Sequence, residues 1–208
     1  VRLRLPLRPC STVAGRVIES KFPPVVAPAQ SVTDFVLERT EKHGDAVALV
    51  DGPTGREIRC SELRRLIRDF ASGLTVSCGL QQRGVMAILA PNVPEYFIAW
   101  HGCASIGGTV TTLNPMYTSG EIASQLADSK ATIIVTVSAL ADKALEAATI
   151  VGTCGGSLQQ VTSLIILDAD EDSSREHVAL LSYASLLAAG RAASPPPATI
   201  VPDDVVVM

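Results

Sequence analysis

Charged and aromatic side chains are scarce in this sequence. Of its 208 residues 18% are charged and 4% are aromatic, and the net charge is −4 at pH 7. No cluster of lysine and arginine with interleaved aromatic residues occurs. Because surfaces that bind nucleic acid need such clusters to meet the phosphate backbone, this scarcity argues against a nucleic-acid partner.

Long apolar runs and closely spaced cysteines are lacking too. The most apolar stretch, residues 85–110, is interrupted by Pro91, Pro94, Glu95 and His101, so no transmembrane helix is predicted. The cysteines are odd in number and far apart: Cys10, Cys60, Cys78, Cys103 and Cys154. Without a CxxC pair or a histidine at ligand spacing, we expect reduced thiols in an intracellular protein and no zinc site.

The N-terminal region lacks an initiator methionine and, over its first 18 residues, any acidic residue. Arg2, Arg4, Arg8 and Arg16 give it the composition of a transit peptide. Because the initiator methionine is absent, we favour a truncated N-terminus over a targeting segment. Pro23, Pro24 and Pro28 disfavour helix, which predicts an extended leader over residues 1–30.

Apolar residues make up 47% of the chain, enough for strands that are covered on both faces. Ser31 and Asp34 predict a helix start, and the turn residues 52–55 between apolar runs 46–51 and 57–60 predict a hairpin.

Ser61 is expected to cap an amphipathic helix. Its polar face, with Arg64, Arg65, Arg68 and Asp69 turned to solvent, is interpreted as a solvated stripe rather than an anion site.

A unit of strand, turn and capped helix then repeats along the chain. Strands are predicted at 85–90, 109–113, 131–136 and 163–168, and helices at 94–106, 118–128, 138–150 and 182–190. Such alternation requires crossover connections. The predicted fold is therefore an incomplete, doubly wound, largely parallel α/β sheet with helices on both faces, plus the N-terminal hairpin. Residues 194–197 read as a stiff linker, and residues 205–208 as the start of another strand.

Phosphate-binding loops are not recognisable in the sequence. The glycines of 107–109 and 152–157 have neither P-loop spacing nor a following lysine. We interpret the first group as a helix C-cap with close packing and the second as a flexible loop. None of the lysines lies next to either glycine group: Lys21, Lys42, Lys130 and Lys143.

Catalytic constellations are also not recognisable. His43, His101 and His177 have no Ser/Asp or Cys partner at a signature spacing. His101 shares its helix with three aromatic residues (Tyr96, Phe97 and Trp100) that could line a pocket, although a core-facing helix is the preferred interpretation. The acidic run at Asp168, Asp170, Glu171 and Asp172 is read as a solvated loop. The sequence thus assigns no catalytic, cofactor-binding or metal-binding residue.

Several segments nevertheless resemble one family. SKFPPV at 20–25, FVLER at 35–39 and GDAVALVDGPTGREI at 44–58 look like the opening of plant 4-coumarate:CoA ligase-like proteins. LAPNVPEYFIAWHGCASIGGTVTTLNPMYTSGEIASQL, at 89–126, closely resembles an early core motif of the adenylate-forming superfamily of acyl-CoA synthetases, luciferases and peptide-synthetase adenylation domains. The resemblance covers residues 20–208.

The resemblance implies a two-step reaction. A carboxylate attacks the α-phosphate of ATP, giving an acyl-adenylate and pyrophosphate, and the thiol of CoA then displaces AMP. It also implies Mg²⁺, a small carboxylic acid partner such as a phenylpropanoid or a fatty acid, and a cytoplasmic or peroxisomal location. In the family, a phosphate-binding loop follows a segment like residues 202–208.

No catalytic residue of the family matches a position in this chain. The matching residues are read as scaffold: Pro91, Asn92, Pro94, Gly107, Asn114 and Pro115. Residues 31–208 are therefore expected to form part of an N-terminal AMP-binding domain that stops before the phosphate loop, inactive in isolation and without tight binding of ATP, Mg²⁺ or CoA. The alternative is a noncatalytic module that pairs its open sheet edge with a full-length relative or with itself.

Overall fold

The computed structural model describes residues 21–24, 26, 28–154, 160–175, 177–193, 198–201 and 204–208. The described residues of the predicted leader, between 21 and 30, are exposed and form neither helix nor strand. Its first twenty residues and the predicted linker at 194–197 lie outside the described residues. The helices are α1 (Val32–Thr40), α2 (Cys60–Cys78), α3 (Pro94–Ser105), α4 (Ser119–Ser129), α5 (Ser138–Cys154) and α6 (Tyr183–Arg191).

A two-stranded antiparallel hairpin and a six-stranded sheet account for the strands of the described residues. The strands are β1 (Val47–Val50), β2 (Glu57–Arg59), β3 (Val85–Leu89), β4 (Thr109–Thr112), β5 (Ile133–Thr136), β6 (Ser163–Ile166), β7 (Ser173–Arg175) and β8 (Val178–Ser182). The larger sheet has the order β4-β3-β5-β6-β8-β7, and only the β7–β8 pair is antiparallel. The predicted hairpin and largely parallel sheet are confirmed.

Both faces of the sheet are covered, because alternate residues of each central strand point to opposite sides. Met86 and Ile88 of β3 belong to one buried cluster with α2, α3 and α6. Ala87 and Leu89 belong to a second cluster with α4 and α5. The predicted helices on both faces are therefore confirmed.

Two glycines let α2 and α6 approach each other at backbone distance. A Cβ atom on Gly190 would lie 1.7 Å from the carbonyl oxygen of Asp69, and one on Gly73 would lie 2.4 Å from that of Leu186. Real Cβ atoms do not approach so closely, so no side chain fits at either position.

The prediction that Asp69 faces solvent is wrong. Asp69 is fully buried, at 0% exposure, because α6 covers that side of α2. Three arginines from the two helices surround its carboxylate: Arg68 (2.9 Å), Arg65 (3.6 Å) and Arg191 (3.4 Å). Desolvating a carboxylate is costly unless it is paired, and these guanidinium groups pair it.

Element boundaries differ from prediction at several places. The N-cap of α2 is Arg59 instead of the predicted Ser61, and the Arg59 N–H donates to Glu62 Oε2 at 3.0 Å. Helix α5 extends to Cys154, past the predicted end at 150, and strands β7 and β8 were not predicted. Residues 205–208 contribute an isolated parallel bridge, Val110 to Val207, in place of a full strand.

Candidate functional site

The carboxyl edge of the parallel sheet is where a ligand site is expected. Strands β3, β4, β5, β6 and β8 run parallel, so they all end at this edge, where α3, α4, α5 and α6 begin. Strand β3 lies between β4 and β5, so the chain winds in opposite directions on either side of it. In open α/β sheets, ligands bind in the crevice that such a switch point creates.

A cleft of about 280 Å³ opens beside this switch point. It is formed by the turn after β3 and one face of α3, and its lining residues are Asn92, Val93, Tyr96, Phe97, Trp100 and His101. These residues share a face because they form two series at intervals of four: 92, 96 and 100, and 93, 97 and 101. Residues four apart lie on consecutive turns of a helix, one above the other. Pro94 occupies the first helical position, where its fixed φ favours the helix start.

His101 closes the inner end of the cleft and is 5% exposed. Its Nδ1 lies 3.1 Å from Thr33 Oγ1 of α1, and Thr33 is itself buried. The rings of Phe97 and Trp100 lie 4.3 Å and 4.7 Å from the imidazole, centroid to centroid. Burial lowers the pKa of His101 to about 4, so the imidazole is neutral at pH 7.

The cleft therefore presents uncharged side chains. Burial also raises the pKa of Tyr96 above its ordinary value, which keeps the phenol protonated. Aromatic faces with an imidazole and an amide can pack against a flat, uncharged group, but they offer no cation for a phosphate. The sequence alternative that Tyr96, Phe97, Trp100 and His101 line a pocket is confirmed. Tyr96, Phe97 and Trp100 also pack on the buried cluster, as the preferred interpretation expected.

A polar cluster lies next to the cleft and was missed in the sequence. Glu95, in the first turn of α3, is buried and forms an ion pair with Arg56 from the turn between β1 and β2. Tyr183, the first residue of α6, has a buried hydroxyl without a hydrogen-bond partner among the described residues. Burial raises the Tyr183 pKa, and the Glu95 charge adds to the shift. These residues are 39 or more positions apart, so no local motif announces them.

Acidic side chains of the chain itself occupy the N-termini of α4, α5 and α6 at the carboxyl edge. Asp168 Oδ1 accepts hydrogen bonds from the N–H (2.6 Å) and hydroxyl (2.9 Å) of Ser138 at the start of α5. Asp172 Oδ1 accepts from the Ser182 N–H, at 2.7 Å, where α6 starts. Thr118 and Glu121 form the predicted capping box of α4. The acidic loop is exposed as predicted, and two of its carboxylates also cap helices.

Most other residues singled out in the sequence have the structural roles expected of them, with one exception at Gly152. His43 and His177 are exposed. Gly107 has φ +71° and ends α3 with an N–H bond to the Ala104 carbonyl, so the predicted C-cap is confirmed. The loop predicted for the second glycine group is wrong for residues 152–154, which belong to α5, and residues 155–157 lie outside the described residues. Asn114 Oδ1 accepts from the Met116 N–H, at 2.9 Å, and holds the turn after β4.

The thiols of Cys78 and Cys103 are not activated. Burial raises the pKa of Cys78 to about 11 and that of Cys103 to about 12, so both stay protonated at neutral pH. No group of His, Cys, Asp and Glu side chains among the described residues is arranged to hold a metal ion. Within the same residues, no helix is both long and apolar enough to cross a membrane.

Comparison with known proteins identifies the family. The family model described as "AMP-binding enzyme" matches residues 36–208. The chain belongs to the AMP-binding enzyme family. The match begins within α1 and includes the hairpin, the sheet and the cleft.

Curated relatives of this AMP-binding family member include plant ligases. The chain is 34% identical to 4-coumarate–CoA ligase 5 of Oryza sativa subsp. japonica over 79% of its own length and 31% of the relative's. It is 32% identical to 4-coumarate–CoA ligase of Pinus taeda over 91% of its length and 32% of that protein. The chain thus spans about a third of the length of these relatives. The predicted 4-coumarate:CoA ligase-like resemblance is confirmed.

Solved structures share the fold. A long-chain-fatty-acid-CoA ligase from Archaeoglobus fulgidus superposes with a TM-score of 0.72 at 20% identity, over 91% of this chain and 36% of that one. The N-terminal domain of FACL13 from Mycobacterium tuberculosis superposes with a TM-score of 0.63 at 17% identity, over 86% of this chain and 41% of that one. The doubly wound sheet is therefore a fold that this chain shares with both of these solved structures.

Proposed function

We propose that residues 31–208 are the first part of the adenylation domain of an ATP-dependent carboxylate–CoA ligase. The observation that carries this proposal is the family match over residues 36–208, supported by the identity to plant 4-coumarate–CoA ligases. In the complete enzyme, a carboxylate oxygen attacks the α-phosphorus of ATP and pyrophosphate leaves. The CoA thiol then attacks the acyl carbon, forms the thioester and releases AMP.

This part of the enzyme acts as scaffold and does not adenylate a carboxylic acid by itself. Transfer at the α-phosphate develops negative charge that needs cations or free N–H donors at the site. Glu121, Asp168 and Asp172 already occupy the starts of α4, α5 and α6, and negative side chains there repel a polyphosphate. The Lys143 ammonium donates to the Pro115 carbonyl, at 3.0 Å, and so supports the turn after β4.

The acid substrate of the complete enzyme is a small carboxylic acid, either a phenylpropanoid or a fatty acid, and its compartment is the cytoplasm or the peroxisome. The proposal includes both acid classes because sequence relatives are named 4-coumarate ligases and a structural neighbour is named a long-chain-fatty-acid ligase. ATP, Mg²⁺ and CoA are the cofactors of the complete enzyme in this proposal.

Exchange of labelled pyrophosphate into ATP tests the proposal. The purified chain is incubated with Mg²⁺, ATP, labelled pyrophosphate and, in separate reactions, 4-coumarate or a long-chain fatty acid. A complete plant 4-coumarate–CoA ligase serves as the positive control. We expect exchange with the control and none above the acid-free blank with this chain. Acid-dependent exchange by this chain would refute its inactivity.

A second candidate is a noncatalytic module that pairs through a sheet edge. Strand β7 favours it, because its residues Ser173–Arg175 are exposed at one end of the sheet and a bare edge strand invites another strand. Sedimentation equilibrium distinguishes the two, since pairing predicts a mass that rises from monomer to dimer with concentration. Substituting Ser174 with proline should abolish that rise if β7 is the pairing edge.

A further inference from the structure

The two ring nitrogens of His101 have different surroundings. Nδ1 lies 3.1 Å from Thr33 Oγ1 of α1, whereas Nε2 has no hydrogen-bond partner among the described residues. Within the same residues, the only fully buried side-chain polar atom without a partner is the Tyr183 hydroxyl, so Nε2 is not sealed off. Because His101 lines the cleft at its inner end, Nε2 is accessible to a molecule that enters the cleft.

Thr33 decides which nitrogen of the imidazole carries the proton. Its hydroxyl has one proton and donates it to the His101 carbonyl, 3.4 Å away. The hydroxyl oxygen is then the acceptor for an N–H at Nδ1. The imidazole is neutral at pH 7, since burial lowers its pKa to about 4, and it carries a single N–H. Nε2 is therefore a hydrogen-bond acceptor, and a ligand must supply the donor.

Aromatic side chains form the walls of the cleft. Tyr96, Phe97 and Trp100 are partly buried: they pack against the core cluster and also line the cleft. The ring of Phe97 is tilted by 53° to the imidazole and that of Trp100 by 75°. Tilted and edge-to-face arrangements are those that aromatic rings prefer. A further flat ring can therefore join this cluster.

The volume and charge of the cleft limit the ligand further. About 280 Å³ is slightly less than the roughly 300–1,000 Å³ of pockets for drug-sized ligands, so the cleft suits about one substituted ring. Its described lining includes neither lysine nor arginine. A carboxylate or phosphate would thus lose hydration on entering without gaining a cation.

We propose that the cleft is a binding site for a small neutral phenol, whose hydroxyl donates to His101 Nε2 and whose ring packs against Tyr96, Phe97 and Trp100. A phenol places its donor directly on a flat apolar ring, and with a pKa of about 10 it is uncharged at pH 7. The site goes beyond the proposed ligase function, because it requires neither ATP nor CoA and does not hold the reacting carboxylate.

NMR titration of the purified chain with p-cresol tests the site. The reporters are the ¹⁵N resonance of His101 Nε2 and the indole N–H of Trp100, the single tryptophan. At pH 7.5, p-cresol should shift both resonances saturably, with a Kd of about 1 mM. The ether 4-methylanisole has the same ring without the donor and should bind roughly five-fold more weakly, the factor expected for one neutral hydrogen bond. 4-Coumarate, a phenol with a carboxylate, should also bind at least about five-fold more weakly than p-cresol.

His101→Phe separates the role of the nitrogen from that of the ring. The variant keeps a flat side chain but removes the acceptor, so p-cresol and 4-methylanisole should bind about equally when followed at Trp100. A purely structural role of His101 would weaken both ligands and leave their ratio unchanged. His43→Phe alters an exposed histidine outside the cleft and should keep the preference for p-cresol.

Four results would each overturn the proposal. They are the absence of saturable shifts up to about 10 mM p-cresol, equal binding of p-cresol and its ether, equal binding of p-cresol and 4-coumarate, and a preference that survives in His101→Phe. Trp100 shifts that depend on protein concentration without ligand would also overturn it, because a second copy would then cover the cleft. Pyrophosphate exchange tests the ligase function separately, since p-cresol has no carboxylate to adenylate.

Discussion

Asp69 Oδ2 of α2 lies 3.4 Å from Arg191 Nε of α6, and this pair joins two helices that approach each other at backbone distance. Asp69 is completely buried, whereas the Arg191 side chain is 62% exposed. The carboxylate thus depends on arginines that reach in from the surface. Because those guanidinium groups remain hydrated, the interaction is weaker than that of a fully buried pair.

Replacing the buried carboxylate should destabilise the protein. In Asp69→Asn, three arginines lose their shared partner, and we expect the free energy of unfolding to fall by about 1–3 kcal/mol. This is less than the loss expected for a fully buried pair, because solvent screens the exposed guanidinium groups. Urea denaturation followed by circular dichroism measures the change. Asp142→Asn is the matched control, since its pair with Arg175 is exposed on both sides and should be worth less than about 1 kcal/mol. Equal effects in the two variants would contradict this account of Asp69.

Gly190→Ala should be strongly destabilising, although alanine favours helix more than glycine does. The added Cβ would lie 1.7 Å from the Asp69 carbonyl, so α6 must move away from α2. Gly152→Ala in α5 is the control, because nothing lies within 4 Å of its Cβ position, and it should stabilise by about 0.5–1 kcal/mol. Thermal unfolding should show opposite shifts in midpoint. A stabilised Gly190→Ala variant would mean that α2 and α6 do not pack as described.

The buried imidazole predicts a pH dependence of stability. The folded pKa of His101, about 4, is below its ordinary value of 6.5, so the unfolded chain binds more protons between these values. Its contribution to stability is therefore fully present above pH 6.5 and is lost as pH falls toward 4, by up to about 3 kcal/mol. Urea midpoints measured at pH 7.5 and 4.5 should differ less in His101→Gln than in the unchanged chain.

Trp100 gives a direct readout of the same titration. It is the single tryptophan of the chain, and its ring centroid lies 4.7 Å from that of His101. A charged imidazolium at this distance should change its fluorescence, with an inflection near pH 4 that disappears in His101→Gln. His43→Gln, which alters an exposed histidine, should leave the curve unchanged. An inflection near pH 6.5 would show that the imidazole is not buried.

Much of the fold could be predicted because its signals are local. Thr118 and Glu121 lie three residues apart and form their capping box, and Pro94 begins its helix where proline is favoured. Alternating strand and helix patterns required a parallel sheet. Strand β7 carried no such signal, because its residues Ser173–Arg175 are all exposed and none is apolar.

The parts that could not be predicted depend on contacts between distant positions. Asp69 occupies the polar stripe of its helix in sequence, and only the packing of α6 buries it. Arg56 and Glu95 meet across 39 positions, and Thr109 reaches Val205 across 96. His101 was a candidate on the composition of its own helix, but its partner Thr33 lies 68 positions earlier.

Nucleotide binding tests most directly the proposal that the described residues supply scaffold and no phosphate site. Isothermal titration of the purified, monomeric chain with Mg²⁺-ATP should show no saturable binding tighter than a Kd of about 1 mM. A complete plant 4-coumarate–CoA ligase, titrated in parallel, verifies that the conditions permit binding. A compact monomer of this chain that binds Mg²⁺-ATP with a Kd of about 10 μM or tighter would contradict the account.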